Sequence, residues 1–427
     1  MQVSLIRKLV SKLYVQILIG IIAGIVLGYL KPQLGVELKP LGDLFIKLIR
    51  MLLAPIIFAS VVVGVARMGN IREAGRVGLK AILYFEVLST LSLVLGLVVV
   101  NLVKPGAGMN IDASHIGTDS ISSYTSQAQH ATIADFFMNI VPNSVVGAFA
   151  QGEMLQIILF SVLFAIALAK LGARATPLVD MLDLFLHGMF GIVRIVMYLA
   201  PIGAFGAIAF TIGRYGIGTL ASFGQLMISV YVTSLLFIVL VLGAVMKLCG
   251  LSLWGFLKYI KDEILIVFGT ASTEAVLPQM MMKMEALGCQ KSVVGMVLPT
   301  GYTFNADGTA IYLTMATLFV AQATNVHLSI WDQLVILGVM LLTSKGSAGV
   351  AGAGFVALAA TLSSMHKIPV SGLVLLLGID RFLNEARAVT NLIGNGVATI
   401  AIARWEGVLD FRRATAVLGG EPADSID

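Results

Sequence analysis

Charge is scarce in this chain: Asp, Glu, Lys and Arg make up 12% of its 427 residues, about half the share typical of a soluble domain. With 58% hydrophobic residues and a mean hydropathy of +0.96, that shortage excludes an ordinary water-soluble fold and leaves a polytopic membrane protein. Cysteine is scarcer still. The two present, Cys249 and Cys289, flank basic segments assigned below to the cytoplasm, where thiols stay reduced. Neither a disulfide nor a metal role is expected of them. No H-E-x-x-H motif occurs, and Ser272, Thr273 and Glu274 have no histidine in their segment, which argues against an intramembrane enzyme. No ring of repeated charges marks an anion-channel path. The net charge of +5 does not point to nucleic acid, because Lys and Arg lie mainly in short segments between apolar runs, where they set orientation.

Long apolar runs are what the chain has in plenty. Segments such as "VQILIGIIAGIVLGYL" (15–30) and "LSLVLGLVVVNLV" (91–103) recur, and about 20 apolar residues cross a bilayer as a helix. The pattern predicts eight crossings, near 12–30, 43–66, 80–103, 144–171, 180–212, 219–247, 292–322 and 371–403. The basic start "MQVSLIRKLVSKLY" resembles a signal-peptide n-region. The run behind it is long and lacks an A-x-A-like end, so it reads as a retained first helix. Arg7, Lys8 and Lys12 precede the first helix; Arg67, Arg72, Arg76 and Lys80 follow the second; Lys247, Lys258 and Lys261 follow the sixth; Arg412 and Arg413 close the chain. All fall on one side, which sets both termini in the cytoplasm. The polar stretch 104–135, with Asp112, His115, Asp119 and His130, then lies outside as an exposed loop. Its histidines lack ligand spacing.

Two segments do not fit as crossings. Residues 253–290 contain "LIVFGTASTEAVLPQMMMKM" and residues 331–365 contain "LLTSKGSAGVAGAGFVALAATL": each has two apolar arms around a small-residue tip. They read as re-entrant hairpins, the first entering from the cytoplasm and the second from outside. Non-helical backbone at membrane depth is tolerated only where protein or a water-filled cavity satisfies its polar groups, so the tips are expected to meet at an internal site. Each hairpin precedes a helix with polar residues in its middle. This unit, used twice with inverted topology, is the strongest sequence pointer to a transporter's midplane site.

In "GIDRFLNEARAVTNLIGNG", residues Asp380, Asn384, Arg387, Asn391 and Asn395 share one helix face. An intramembrane Arg must face a cavity or a partner. Arg387 is either an anion clamp, offering a planar fork to a carboxylate, or a structural partner of Asp380 or Asp307. Arg381 and Glu385 lie off the face, four apart, and are expected to pair with each other. In "TGYTFNADGTAIY" (300–312), Asn305 and Asp307 interrupt the seventh helix. Carbonyls exposed beside a carboxylate suit a hard monovalent cation; a protonated, structural Asp307 is the alternative. The tips "GTASTE" and "SKGSAGVAGAG" offer hydroxyls and N–H groups suited to anions. "GAGFVA" (352–357) fits a dinucleotide pattern but follows no strand and is set aside.

These motifs resemble those of the glutamate transporter superfamily, the dicarboxylate/amino acid:cation symporters. "NADGT" (305–309) is similar to that family's N-M-D-G-T signature, and the likeness runs nearly the full chain. "GTASTEAVLP", "SKGSAGVAGAG" and "IDRFLNEARAVTNLIGNGVAT" resemble most the bacterial four-carbon dicarboxylate transporters. The resemblance implies an all-α polytopic fold of eight transmembrane helices plus two re-entrant helical hairpins, an elevator fold with inverted repeats. It implies a homotrimer in the bacterial inner membrane. A scaffold from residues 1–77 and 104–215 would carry a transport domain of 78–103 and 216–410, with 411–427 as a cytoplasmic tail. No cofactor is implied beyond a coupling ion.

By the same resemblance, Arg387 and Thr309 would hold the distal substrate carboxylate. Ser272 and Thr273 of the first tip, residues 350–354 of the second (Val350, Gly352 and Gly354) and Asn391 would hold the other. Cations would draw on Gly301, Thr303, Asn305, Asp307, Asn391, Asn395, Ser344, Lys345 and Ser347, with Ser89 and Thr90. The departures are informative. Amino-acid-transporting members place an Asp one turn before the Arg to receive an ammonium, whereas this chain has Asn384, and the neighbouring Thr position is Ala388. Succinate, fumarate and malate carry no ammonium, so dicarboxylates are the expected substrates. An acidic amino acid:cation symporter and an anion channel are the alternatives. Asn395 replaces a second Asp of sodium-coupled members, and Lys345 occupies a usually apolar position; sodium and protons both remain open as driving ions.

Overall fold

Helix is the only regular structure among the described residues, apart from an isolated antiparallel bridge between Cys289 and Leu409. The computed structural model describes residues 13–67, 71–111, 138, 140–215, 223–346, 354, 357–359, 361–362, 367–377 and 379–421. The chain opens with α1 (Leu13–Leu30), α2 (Pro32–Glu37), α3 (Lys39–Arg67) and α4 (Ile71–Val103). Pro32 starts α2 because its missing N–H falls where no intrahelical partner exists. Helix α4 begins well before the apolar run expected from residue 80. Its first turns carry Arg76 and Lys80, which bind Glu406 at 2.7 and 2.6 Å, so a search for hydrophobicity passes over them.

The expected fourth span is divided into α5 (Val145–Gln151) and α6 (Met154–Leu171). Ser144 caps α5 by accepting from the Gly147 N–H, and Gly152, at φ 73°, ends it. The fifth is divided into α7 (Thr176–Met197) and α8 (Ala200–Tyr215), with the break immediately ahead of Pro201, which has no N–H to continue a helix. The sixth comprises α9 (Gly224–Leu236), a π-helical stretch at Phe237–Leu242 and α10 (Gly243–Leu248).

Helices α11 (Leu253–Tyr259), α12 (Lys261–Thr270) and α13 (Leu277–Ala286) follow, then α14 (Lys291–Phe304), α15 (Asp307–Ala323), α16 (Ile330–Gly346), α17 (Val374–Leu377), α18 (Asp380–Glu406) and α19 (Phe411–Gly419).

Backbone contact joins α1 to α8. A Cβ on Gly20, Gly24 or Gly28 would sit 2.6 to 2.7 Å from the carbonyl oxygens of Pro201, Phe205 and Ala209, so one glycine per turn lets the two backbones touch. The core is α15, buried without interruption from Asp307 to Ala321 and packed against α4, α14's partner helix α18, and α16. Large apolar side chains stay exposed on the outer helices, among them Ile22, Leu83, Leu184, Ile195 and Leu235. Such a surface is compatible with lipid rather than water. Among the described residues, three helical stretches are long and apolar enough to cross a membrane: Gly75–Val103, Gln156–Met197 and Gly224–Leu248. At the opposite end of α18 from its polar stripe, α19 docks on the segment after α13: the Asp410 N–H donates to the Gly288 carbonyl (2.9 Å) and Arg413 Nε to the Ala286 carbonyl (2.8 Å).

Candidate functional site

The five polar residues expected on one face all lie in α18, and that face meets the other broken segments of the chain. Near its start, Asp380 Oδ1 accepts from the Tyr312 hydroxyl at 2.7 Å. One turn on, Asn384 Nδ2 donates to the Ala271 carbonyl at 3.2 Å. The Arg387 guanidinium stands over the Tyr312 ring, 5.4 Å from its centroid, and fills the space a side chain on Gly354 would need. Asn391 accepts from the Gly308 N–H (2.7 Å) and donates to Thr309 Oγ1 (3.2 Å). Asn395 Oδ1 accepts from Asn305 Nδ2 at 3.2 Å and lies against Gly301.

Tyr312 therefore faces Arg387 with its ring and Asp380 with its hydroxyl. Among the described residues neither Asp380 nor Asp307 forms an ion pair with Arg387. A guanidinium held by a ring face keeps its donor fork for a ligand.

The α14–α15 break is real: Asn305 and Ala306 leave the helical path. Helix ends leave carbonyls of the last turn without intrahelical partners, and polar side chains crowd this one. Thr303, Asn305, Asp307 and Asn395 are all buried. Asn305 Oδ1 has no hydrogen-bond donor among the described residues. The Asp307 carboxylate is completely buried and presses on Gly394, where a Cβ would collide with it. The backbone of Gly308 approaches that of Arg387 just as closely. These donors are oxygens of amide, carboxylate and carbonyl type, which suit a hard cation. Among the described residues no cluster of three or more His, Cys, Asp or Glu exists that would hold a transition metal.

The first small-residue tip reaches the same place. Ala271 ends α12 in the left-handed region, φ 51°. Ser272 and Thr273 follow half-buried, and the Thr273 carbonyl accepts from the Tyr302 hydroxyl at 3.1 Å. The base of this hairpin-like segment is clasped by Lys283, which donates to buried Glu263 (2.8 Å) and to the Tyr259 carbonyl (2.6 Å). Ala388 is buried beside Arg387.

Not every expected residue is brought to the stripe. Ser89 is buried on α4, but the Thr90 hydroxyl is exposed and donates to the Glu86 carbonyl of its own helix (2.7 Å). Ser344 and Lys345 lie on α16 with side chains outside the described residues; Ser347, Val350, Gly352, His115 and His130 fall outside them altogether. The Arg381 side chain does too. Its expected partner Glu385 is buried and accepts from the Tyr231 hydroxyl at 3.5 Å. The tyrosines 231, 302 and 312 escaped the sequence reading, since a tyrosine in an apolar run has the periodicity of any core residue. Cys249 and Cys289 are buried free thiols.

An all-helical bundle with an apolar exterior and broken helices converging on a buried polar seam fits the class of polytopic membrane proteins. Residues 13–405 match the sodium:dicarboxylate symporter family, and the chain belongs to that family. It is 59% identical over 392 residues to C4-dicarboxylate transport protein 3 of Ralstonia nicotianae, covering 92% of this chain and 88% of that protein. The C4-dicarboxylate transport protein of Anaeromyxobacter dehalogenans is 58% identical over 399 residues, 93% of this chain and 91% of its own. That of Laribacter hongkongensis is 56% identical over 390 residues, 91% and 88%.

Proposed function

We propose that this protein is a secondary active symporter that takes up four-carbon dicarboxylates, driven by sodium ions or protons. The observation that carries the reading is the α18 stripe, along which one guanidinium, three amides and the two broken segments meet. Arg387 and Thr309 hold one substrate carboxylate; Asn391, Ser272, Thr273 and the segment around Gly354 hold the other. The Asn305–Asp307 break, with Thr303, Gly301 and Asn395, takes the driving cation. The names of the relatives support the substrate class, and the family description supports ion coupling.

The chain crosses the bacterial inner membrane eight times, with both termini in the cytoplasm and two re-entrant hairpins, and assembles as a homotrimer. A scaffold of residues 1–77 and 104–215 stays fixed while 78–103 and 216–410 carry the substrate across as an elevator. The test is succinate uptake into proteoliposomes with sodium and proton gradients imposed separately. Accumulation against a succinate gradient with trans-stimulated exchange is expected. Passive equilibration without exchange would make the protein a channel.

A further inference from the structure

The apolar span Gly224–Leu248 ends in a corner with a fixed geometry. Gly250, at φ 77°, closes α10: its N–H donates to the Lys247 carbonyl (3.0 Å) and the Leu251 N–H to the Met246 carbonyl (2.9 Å), the two bonds that stop a helix on a glycine. Ser252 then starts α11 by accepting from the Gly255 N–H at 3.1 Å. Gly255 packs on α19, where a Cβ would sit 2.7 Å from the Leu418 carbonyl oxygen, and Phe256 is buried. Those contacts settle which face of α11 is left over. It carries Trp254 and Lys258, one turn apart and both exposed.

Apolar surface and uncompensated charge meet at this corner. Leu248 is 88% exposed and Trp254 76%, and the exposed apolar surface runs back along the span through Leu240 and Leu235. Lys247 and Lys258 are exposed, and neither forms an ion pair among the described residues. A tryptophan suits the edge of a bilayer, where its ring is apolar and its N–H wet. Two cations beside it with no counter-charge ask for an anion that carries an apolar tail. We propose that the α10–α11 corner binds an anionic phospholipid, with Lys247 and Lys258 on the headgroup, Trp254 beneath it and an acyl chain along Leu248 and Leu240. A zwitterionic lipid carries its own cation next to the phosphate and complements the lysines less. The inference needs only that this span crosses a bilayer; substrate and driving ion do not enter it.

The three tryptophans, Trp254, Trp331 and Trp405, allow one site to be read at a time. Trp254 fluorescence is recorded in Trp331→Phe/Trp405→Phe protein, in nanodiscs of phosphatidylcholine and phosphatidylglycerol with brominated, quenching acyl chains on one lipid or the other. Trp331, exposed beside Asp332 at the start of α16, is the reference, read in Trp254→Phe/Trp405→Phe. The lysines should favour phosphatidylglycerol at Trp254 by about fivefold each, and Trp331 should show no such preference. Lys247→Gln with Lys258→Gln should bring Trp254 to the Trp331 ratio, and about 0.5 M salt should move it the same way. Equal lipid ratios at Trp254 and Trp331 with both lysines present would overturn the inference without any lysine variant having to fold. So would a Trp254 preference that persists in the double lysine variant. Loss of succinate uptake would bear on the transport reading and leave this measurement untouched.

Discussion

In the proposed site, Arg387 would act through shape as much as through charge. Its guanidinium is held over the Tyr312 ring, and the Tyr312 hydroxyl is fixed on Asp380, so the plane of the fork is set before a ligand arrives. An ammonium cannot present that plane. Arg387→Lys is therefore expected to weaken succinate binding by about tenfold to a hundredfold, the worth of one charge-assisted bond, with protein still in the membrane. Tyr312→Leu should weaken it in the same direction by removing the ring, while Tyr312→Phe, which keeps the ring, should do less. Competition assays on the three variants check the order. The stripe itself was legible in the sequence, because four polar residues and an arginine at helical spacing have no place on a lipid-facing surface. What fixes Arg387 was not, because its partner lies on another helix and carries no local signal.

At the scale of elements, the breaks matter more than the helices. The interruption at Asn305 and Ala306 was readable from Asn and Asp inside an apolar run, and so was the tip after Thr270. The division of the fourth and fifth spans was not predicted: the polar break Gln151–Gly152–Glu153 is short enough to be averaged away between long apolar flanks, and Pro201 sits inside an apolar run. The glycine seam between α1 and α8 is equally hidden, as glycines in an apolar helix look like any small residues until a neighbour's carbonyls are found against them. Gly24→Leu would drive a side chain into the Phe205 carbonyl, and overpacking of this kind costs about 1 to 3 kcal/mol. The variant should unfold at lower temperature in detergent, whereas the same change at Gly188, with nothing within reach of a Cβ, should leave the melting temperature near that of the wild type.

For the whole molecule, the question is where a pH dependence of transport would originate. Two ion-pair clasps lie at the ends of the bundle. Burial pushes the Glu406 carboxyl up, but hydrogen bonds and charge from Arg76 and Lys80 outweigh it and hold Glu406 below its ordinary value. Hydrogen bonds from Lys367 and Ser329 hold Asp332 down at about 2. Both are depressed carboxylates, so any stability they give is complete above the unfolded values of about 4 and is lost only as pH falls through the lower folded ones. Neither titrates between about pH 5 and 8. Glu406→Gln should accordingly shift uptake by the same factor at every pH in that window, as parallel pH profiles for wild type and variant would show. Glu406 and Asp332 are therefore not the source of any dependence of transport on pH in that range.

That leaves the central claim, that the Asp307 carboxylate binds the driving cation and makes dicarboxylate binding depend on it. Linkage is reciprocal, so a residue that couples the two must carry the dependence in both directions. The most direct measurement is succinate affinity as a function of sodium concentration and of pH, in the wild type and in Asp307→Asn, which keeps the shape and removes the charge. Wild-type affinity should rise with the coupling cation, and the variant should bind succinate with little response to either ion; an unchanged cation dependence in the variant would contradict the account and leave Asp307 a structural residue.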